Sequence, residues 1–197
     1  MAKSDPLNPG FYSSEDLREF GIAKVGSNVQ VAKNITIIGP ENVYLGNNIR
    51  IDGNTVINAY SGFLKVKDFV HLGGGSFLSC GGGIEFHDFS TISQGVRVYS
   101  NSDDYSGEFM TNPMVPKKYT NTVSGLVVFH EHVIVGSGTV VLPNCKLSEG
   151  VAVGALSLVD KSLGPWGIYG GIPAQYLKAR SKSLLDKQIQ FKTELIR

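Results

Sequence analysis

Groups able to carry protons are concentrated in a few stretches of the chain. Asp103 and Asp104 are adjacent in the run Tyr99-Ser100-Asn101-Ser102-Asp103-Asp104-Tyr105-Ser106-Gly107. A carboxyl with an ordinary pKa near ~3.9 is ionised at neutral pH but weak as a base. A base serving a hydroxyl works best with a pKa near the working pH. A second carboxylate alongside, or partial burial, would raise one of the two toward that range. The histidines are His71, His87, His130 and His132, and imidazole suits proton transfer and metal binding alike. Cys80 and Cys145 are the two cysteines, and the reading for them is reduced thiols of the core region.

What can act together depends on the elements that carry these groups. From Phe129 to Ser162 the chain repeats in steps of six: FHEHVI, VGSGTV, VLPNCK, LSEGVA, VGALSL, VDKSLG. Phe129, Val135, Val141, Leu147, Val153 and Val159 open the units. Val133, Thr139, Cys145, Val151, Ser157 and Leu163 sit four places later. Such a period is neither helical nor a strand alternation; it is the mark of a β-helix. Backwards, the openers are Val25, Val31, Ile37; Leu45, Ile51, Ile57; Val66, Leu72, Leu78; and Phe86, Ile92, Val98. Between sets of three the step is 8, 9, 8, 31 and 6, so every insertion leaves after a third unit. A triangular coil explains this, because inserted residues depart at one corner and leave the strand stack intact. Asn28, Asn47, Asn48, Asn54 and Asn144 are, after glycine, the residues best suited to corners with positive φ.

This frame places Gly26, Gly46, Lys67, His87, His130 and Ser148 in one outward column, with His87 and His130 on consecutive coils about 4.8 Å apart. A surface or subunit-interface pair competes there with a catalytic or metal role. Residues 1–24 read as an arm and a capping helix, Ser14–Phe20, with Ser13 or Ser14 as N-cap and Gly21 past its end. The β-helix covers 25–164, with a long loop over 99–126. Its apolar anchors are Tyr105, Phe109, Met110, Met114, Val115 and Tyr119, and loops of this length in compact domains are usually functional. Beyond it, 165–197 hold Trp166, expected to plug the last coil, and an amphipathic helix over 181–197 with Leu184, Leu185, Ile189 and Ile196 on one side.

Composition narrows the partners. The 197 residues suit one domain, and the net charge of +1 provides no global field for nucleic acid or an acidic membrane. No run approaches the ~20 apolar residues of a membrane span, and the first ten residues lack the apolar core of a signal peptide. The expected location is cytoplasmic.

The repeats, followed by Tyr169-Gly170-Gly171-Ile172-Pro173-Ala174-Gln175-Tyr176-Leu177-Lys178-Ala179-Arg180, resemble the hexapeptide-repeat acyltransferases from Val25 to Arg180. The resemblance implies a left-handed parallel β-helix of about six coils and transfer of an acetyl group from acetyl-CoA, without a metal, to a hydroxyl or amine of a sugar or sugar nucleotide. Relatives of that kind decorate surface polysaccharides and assemble as homotrimers with intersubunit sites. It implies that Gly154, Ala155, Ser157, Gly171, Ile172 and Pro173 line the coenzyme A groove and that Lys161, Lys178 and Arg180 lie near its phosphates, where ammonium and guanidinium groups are well matched. In the galactoside and maltose branch a Tyr-Thr-x-Thr-His segment carries the general base. Tyr99, Ser100 and Ser102 match its first residues, while Asp103 stands where the histidine would be. The site candidates are therefore Asp103, Asp104, His87 and His130. Ser106–Gly125 is expected to reach over a neighbouring subunit. Two other classes are a γ-carbonic-anhydrase-like metal enzyme, whose usual His-x4-His spacing is absent, and a non-catalytic assembly subunit on the same fold.

Overall fold

The computed structural model describes residues 7–195; most of the arm read over Met1–Gly10, and Ile196, lie outside them. The chain winds as a triangular parallel β-helix. Face 1 stacks Lys24–Val25, Val43–Leu45, Leu64–Val66, Ile84–Phe86, Val127–Phe129 and Lys146–Leu147. Face 2 stacks Val29–Ala32, Ile49–Ile51, His71–Leu72, Thr91–Ile92, Ile134–Val135, Ala152–Val153 and Gly167–Gly170. Face 3 stacks Thr36–Ile38, Val56–Asn58, Phe77–Ser79, Arg97–Tyr99, Val140–Val141 and Leu158–Val159. The register is strict: Val25 pairs with Leu45, Leu45 with Val66, Val66 with Phe86, Phe86 with Phe129 and Phe129 with Leu147. Equivalent side chains therefore form columns, and the openers fill the prism. All are buried except Val25 and Ile37 at the open end, which are half-buried against the core.

Six coils are complete and a seventh is begun. The repeat does not stop at Lys161: Leu163 bridges to Leu147, and Tyr169 takes the opener's place on face 2 beside Val153. The first strand of face 2 is covered by antiparallel Phe11–Tyr12, and its last by antiparallel Gln175–Ala179, which leaves neither end of that sheet bare. Helix α1, Ser14–Glu19, sits over the first coil. Ser13 is its N-cap, and a capping box with Asp16 satisfies two otherwise orphaned amides.

At the corner between faces 1 and 2, Asn28, Asn48, Phe69, Phe89, His132 and Trp166 have positive φ. Asn47 does not; its amide oxygen instead accepts from the Ser27 backbone N–H at 2.9 Å. Phe69 and Phe89 stack with ring centroids 4.9 Å apart, and Phe89 and His132 at 5.3 Å. Trp166 continues this external ladder over Gly150 rather than plugging the prism. Helix α2, Leu184–Leu195, leans on the ladder through Phe191, and Gln188 Oε1 meets His132 Nε2 at 3.0 Å. Ile189, expected on the packed side, is 66% exposed, because this corner is covered by Leu184, Gln188 and Phe191.

Between the fourth and fifth coils the chain leaves at the corner between faces 3 and 1. It forms a hairpin, Asn101–Asp103 against Thr122–Ser124, that carries the long arm. Tyr105 and Met114 do not anchor the arm to its own body, being 93% and 90% exposed, whereas Val115 is half-buried.

Candidate active site

The corner between faces 2 and 3 is lined by the residue after each face 2 opener: Ala32, Asp52, Gly73, Ser93, Gly136, Gly154 and Gly170. A side chain on Gly73 would meet the backbone of Ser93 and Gln94, and one on Gly136 the Ala155 amide, so those two glycines allow close stacking of coils. Gly154 differs. A Cβ there would approach only Tyr169 O and Gly170 Cα, at 3.5 and 3.9 Å. Its missing side chain therefore leaves open surface, which fits a pantetheine arm lying against the backbone. Ala155 is exposed beside it. Ser157 is buried, and its hydroxyl donates to Gly154 O at 2.8 Å and accepts from Gly171 N–H at 3.2 Å. Thr139 donates to the same Gly154 carbonyl at 3.0 Å. Ser157 thus braces the groove floor from inside, and Gly171, Ile172 and Pro173 form the turn at its foot, with Ile172 exposed.

The three basic candidates occupy three different places. Lys161 is exposed at the corner after Val159, across face 3 from Gly154. Lys178 is exposed on the strand that closes face 2, opposite Ile168. Arg180 is a backbone clamp: its Nη1 donates to the carbonyls of His132, Gly150 and Val151 at 2.7, 3.0 and 3.4 Å. It does so at the corner between faces 1 and 2, so its guanidinium ties coils together there rather than standing over the groove. Burial lowers its pKa.

Asp103 ends the first strand of the arm hairpin and is exposed. Asp104 does not act as its partner. Its carboxylate accepts from Ser106 Oγ at 2.8 Å and from Gly107 N–H at 3.2 Å, a local turn. His87 and His130 do meet, with ring centroids 4.8 Å apart, on the exterior of the corner after face 1. His87 Nδ1 lies 3.3 Å from Glu131 and its Nε2 3.7 Å from Glu85. Burial lowers the pKa of His130, and the charges of His87, Lys146 and Lys67 push the same way against Glu131. For Glu131, burial pushes the pKa up, but its own backbone N–H together with His87 and Lys67 brings it below the ordinary value.

Sequence reasoning missed a further constellation on face 2. Asp52 accepts from Arg50 Nε at 2.7 Å and contacts His71 Nε2 at 2.8 Å, while His71 Nδ1 faces Thr91 Oγ1 at 3.4 Å. Burial pushes the Asp52 pKa up, but hydrogen bonds from His71 and Arg50 outweigh it and hold the carboxyl below its usual value. Arg50, His71 and Thr91 share one outward column. The column was legible in the repeat frame; its conjunction with Asp52 was not, because that residue belongs to the neighbouring column.

No family model matches the chain. A dTDP-4-amino-4,6-dideoxy-D-glucose acyltransferase of Escherichia coli is 39% identical over 180 residues, which are 91% of this chain and 94% of that protein. AntD, an N-acyltransferase from Bacillus cereus, was solved as a serine-to-alanine variant with dTDP-4-amino-4,6-dideoxyglucose and coenzyme A. It is 36% identical and superposes with a TM-score of 0.91 over 95% of this chain and 100% of AntD. AntD has also been solved with dTDP and 3-hydroxybutyryl-CoA, and in that complex the match covers 97% of this chain. A maltose O-acetyltransferase from Clostridium difficile, 18% identical over 85% of this chain and 74% of its own with a TM-score of 0.58, shares the fold. With its coils, its terminal motif and its full-length likeness to these enzymes, the chain belongs to the left-handed β-helix sugar acyltransferases that use acyl-CoA as cosubstrate.

Proposed function

We propose that this enzyme acylates the amino group of a dTDP-linked 4-amino-4,6-dideoxyhexose. The observation that carries this reading is likeness over the whole length to two enzymes named for that amino sugar or solved with it. AntD was crystallised with a serine replaced and with an aspartate ten positions further on replaced. Ser93 and Asp103 are the only serine and aspartate in this chain with that spacing. Ser93 lies in the glycine column, beside the groove proposed for coenzyme A, and Asp103 lies on the arm. An amine acceptor suits this machinery. Its neutral form attacks the thioester carbonyl directly, forming a C–N bond and breaking the C–S bond while the proton lost by nitrogen passes to the departing coenzyme A thiolate, so positioning matters more than a strong base. Asp103 then orients the amine as a hydrogen-bond acceptor.

The site is shared between subunits of a homotrimer. Lys161 and Lys178 lie on different sides of one prism, and most of the arm's apolar residues are exposed on a single chain, which supports contributions from two copies to one site. A nucleotide sugar is a glycosyl donor, so the product would enter surface-polysaccharide assembly from the cytoplasm.

The test is acyl transfer followed by mass spectrometry, with dTDP-4-amino-4,6-dideoxyglucose and its 4-hydroxyl counterpart as acceptors and acetyl-CoA and 3-hydroxybutyryl-CoA as donors. A mass gain of one acyl group on the amine alone is expected; acylation of the hydroxyl sugar at equal efficiency would overturn the reading. Asp103→Asn should lower kcat/KM by about 10–100-fold, the worth of one hydrogen bond to a charged group, with coenzyme A binding kept. A loss nearer 10⁴ with an altered pH profile would make it the general base.

A further inference from the structure

The cluster of His87, His130 and Glu131 is built differently from the rest of its corner. In three preceding coils, the second residue after the face 1 strand caps a backbone amide of the coil before it. Asn47 Oδ1 accepts from Ser27 N–H at 2.9 Å, Asp68 Oδ1 from Asn47 N–H at 2.7 Å, and Asp88 Oδ1 from Asp68 N–H at 3.0 Å. Glu131 is next in that column and leaves the pattern. One methylene longer, it turns between two imidazoles: Oε1 is 3.3 Å from His87 Nδ1, and Oε2 is 3.9 Å from His130 Nδ1. One ligand atom from each of the three residues lies within 4.8 Å of the others.

We propose that His87, His130 and Glu131 bind one divalent transition-metal ion of the zinc class. Zinc takes nitrogen and carboxylate oxygen at about 2.0–2.2 Å in a tetrahedron, which puts neighbouring donors about 3.3–3.5 Å apart. The His87–Glu131 contact already has that separation, and a rotation of the His130 ring, 3.9 Å from Glu131 Oε2, closes the rest. Two imidazoles among three donors select a borderline ion over magnesium or calcium, which demand oxygen ligands. The supports are rigid. Phe86 and Phe129 precede the two histidines, pair in register and stack with centroids 4.4 Å apart inside the prism. The His87 and His130 amides are bonded to Phe129 O and Leu147 O at 2.8 and 3.0 Å. Glu85, 3.7 Å from His87 Nε2, provides the carboxylate that commonly orients a ligating imidazole from behind.

The location indicates a structural purpose. His87 belongs to the fourth coil and His130 and Glu131 to the fifth, and the arm leaves the stack between those two coils. An ion here cross-links the coils on either side of the insertion, at a corner that neither the glycine column nor the arm hairpin occupies. The proposal does not depend on the identity of the acceptor.

The test uses the full-length protein, stripped with a chelator and titrated with Zn²⁺, Co²⁺ and Mg²⁺. About one Zn²⁺ or Co²⁺ per chain should bind, Co²⁺ with the intense visible absorption of a tetrahedral site, and Mg²⁺ should not. At ~100-fold excess over Kd, Zn²⁺ should raise Tm by about 5–10 °C. Glu131→Gln should weaken binding at least ~10-fold, and His87→Asn with His130→Asn should abolish both the spectrum and the Tm shift. These side chains are half-buried, and the Tm without metal reports whether each variant folds. Equal binding by parent and variants, or no response to Zn²⁺ and Co²⁺, would overturn the proposal and leave a hydrogen-bonded histidine–glutamate contact.

Discussion

At the scale of single residues, outward columns decide which polar groups meet. Arg50, Asp52, His71 and Thr91 come from three coils, yet they form one network because Arg50, His71 and Thr91 stack at the strand spacing and Asp52 reaches across from the neighbouring column. The Asp52 carboxyl is held below its ordinary 3.8 in the folded chain. A depressed carboxyl contributes stability that is fully present above its unfolded pKa and is lost as pH falls through the folded value. Asp52→Asn should therefore cost about 1 kcal/mol at pH 6, the upper range for a partly exposed ion pair. The difference between the two proteins should disappear well below pH 3.8, as read by urea unfolding across pH. Asp103 and Asp104 show the opposite lesson: neighbours in sequence, they do different work, because the turn at Ser106 and Gly107 takes the Asp104 carboxylate.

At the scale of elements, two pieces bear on the proposed site. One is the groove floor, where Ser157 and Thr139 bond the Gly154 carbonyl and Ser157 also holds Gly171. Ser157→Ala removes the only side-chain bond to that turn amide among the described residues. It should cost about 1–3 kcal/mol in denaturant unfolding and raise Kd for coenzyme A in calorimetry. The other is the arm. Its hairpin is paired at the base, Asn101 with Ser124, while the distal part is exposed. Replacing residues 105–120 with a short glycine linker should leave the coils intact, with an unchanged cooperative melt, and abolish turnover of the sugar acceptor. A large loss of Tm would show that the arm supports its own prism instead.

At the scale of the whole molecule, the shared site proposed above needs more than one prism. The groove, Lys161 and the arm occupy different corners and faces of one chain. Light scattering should give about three times the 21.2 kDa chain, and a stable monomer at micromolar concentration would contradict the shared-site arrangement. Among the described residues, no helix is long and apolar enough to cross a membrane.

The period of six pointed to a β-helix from sequence alone, and the insertions after every third unit pointed to a triangular coil, because inserted residues can leave at one corner without disturbing the stack; the hand of the coil came from the family resemblance. The openers and the residues four places after them, from Val133 to Leu163, are buried as that logic requires, apart from half-buried Val25 and Ile37 at the first coil. The His87–His130 contact was legible for the same reason, since register turns spacing into distance. Only the tertiary structure decided what polar side chains do within that frame. Glu131 turns to the histidines while Asp68 and Asp88 cap backbone, Arg180 clamps three carbonyls, and Trp166 stacks outside the prism. Periodicity specifies where a Cβ points, whereas the partner of a long polar or aromatic side chain depends on rotamers and on columns from distant coils.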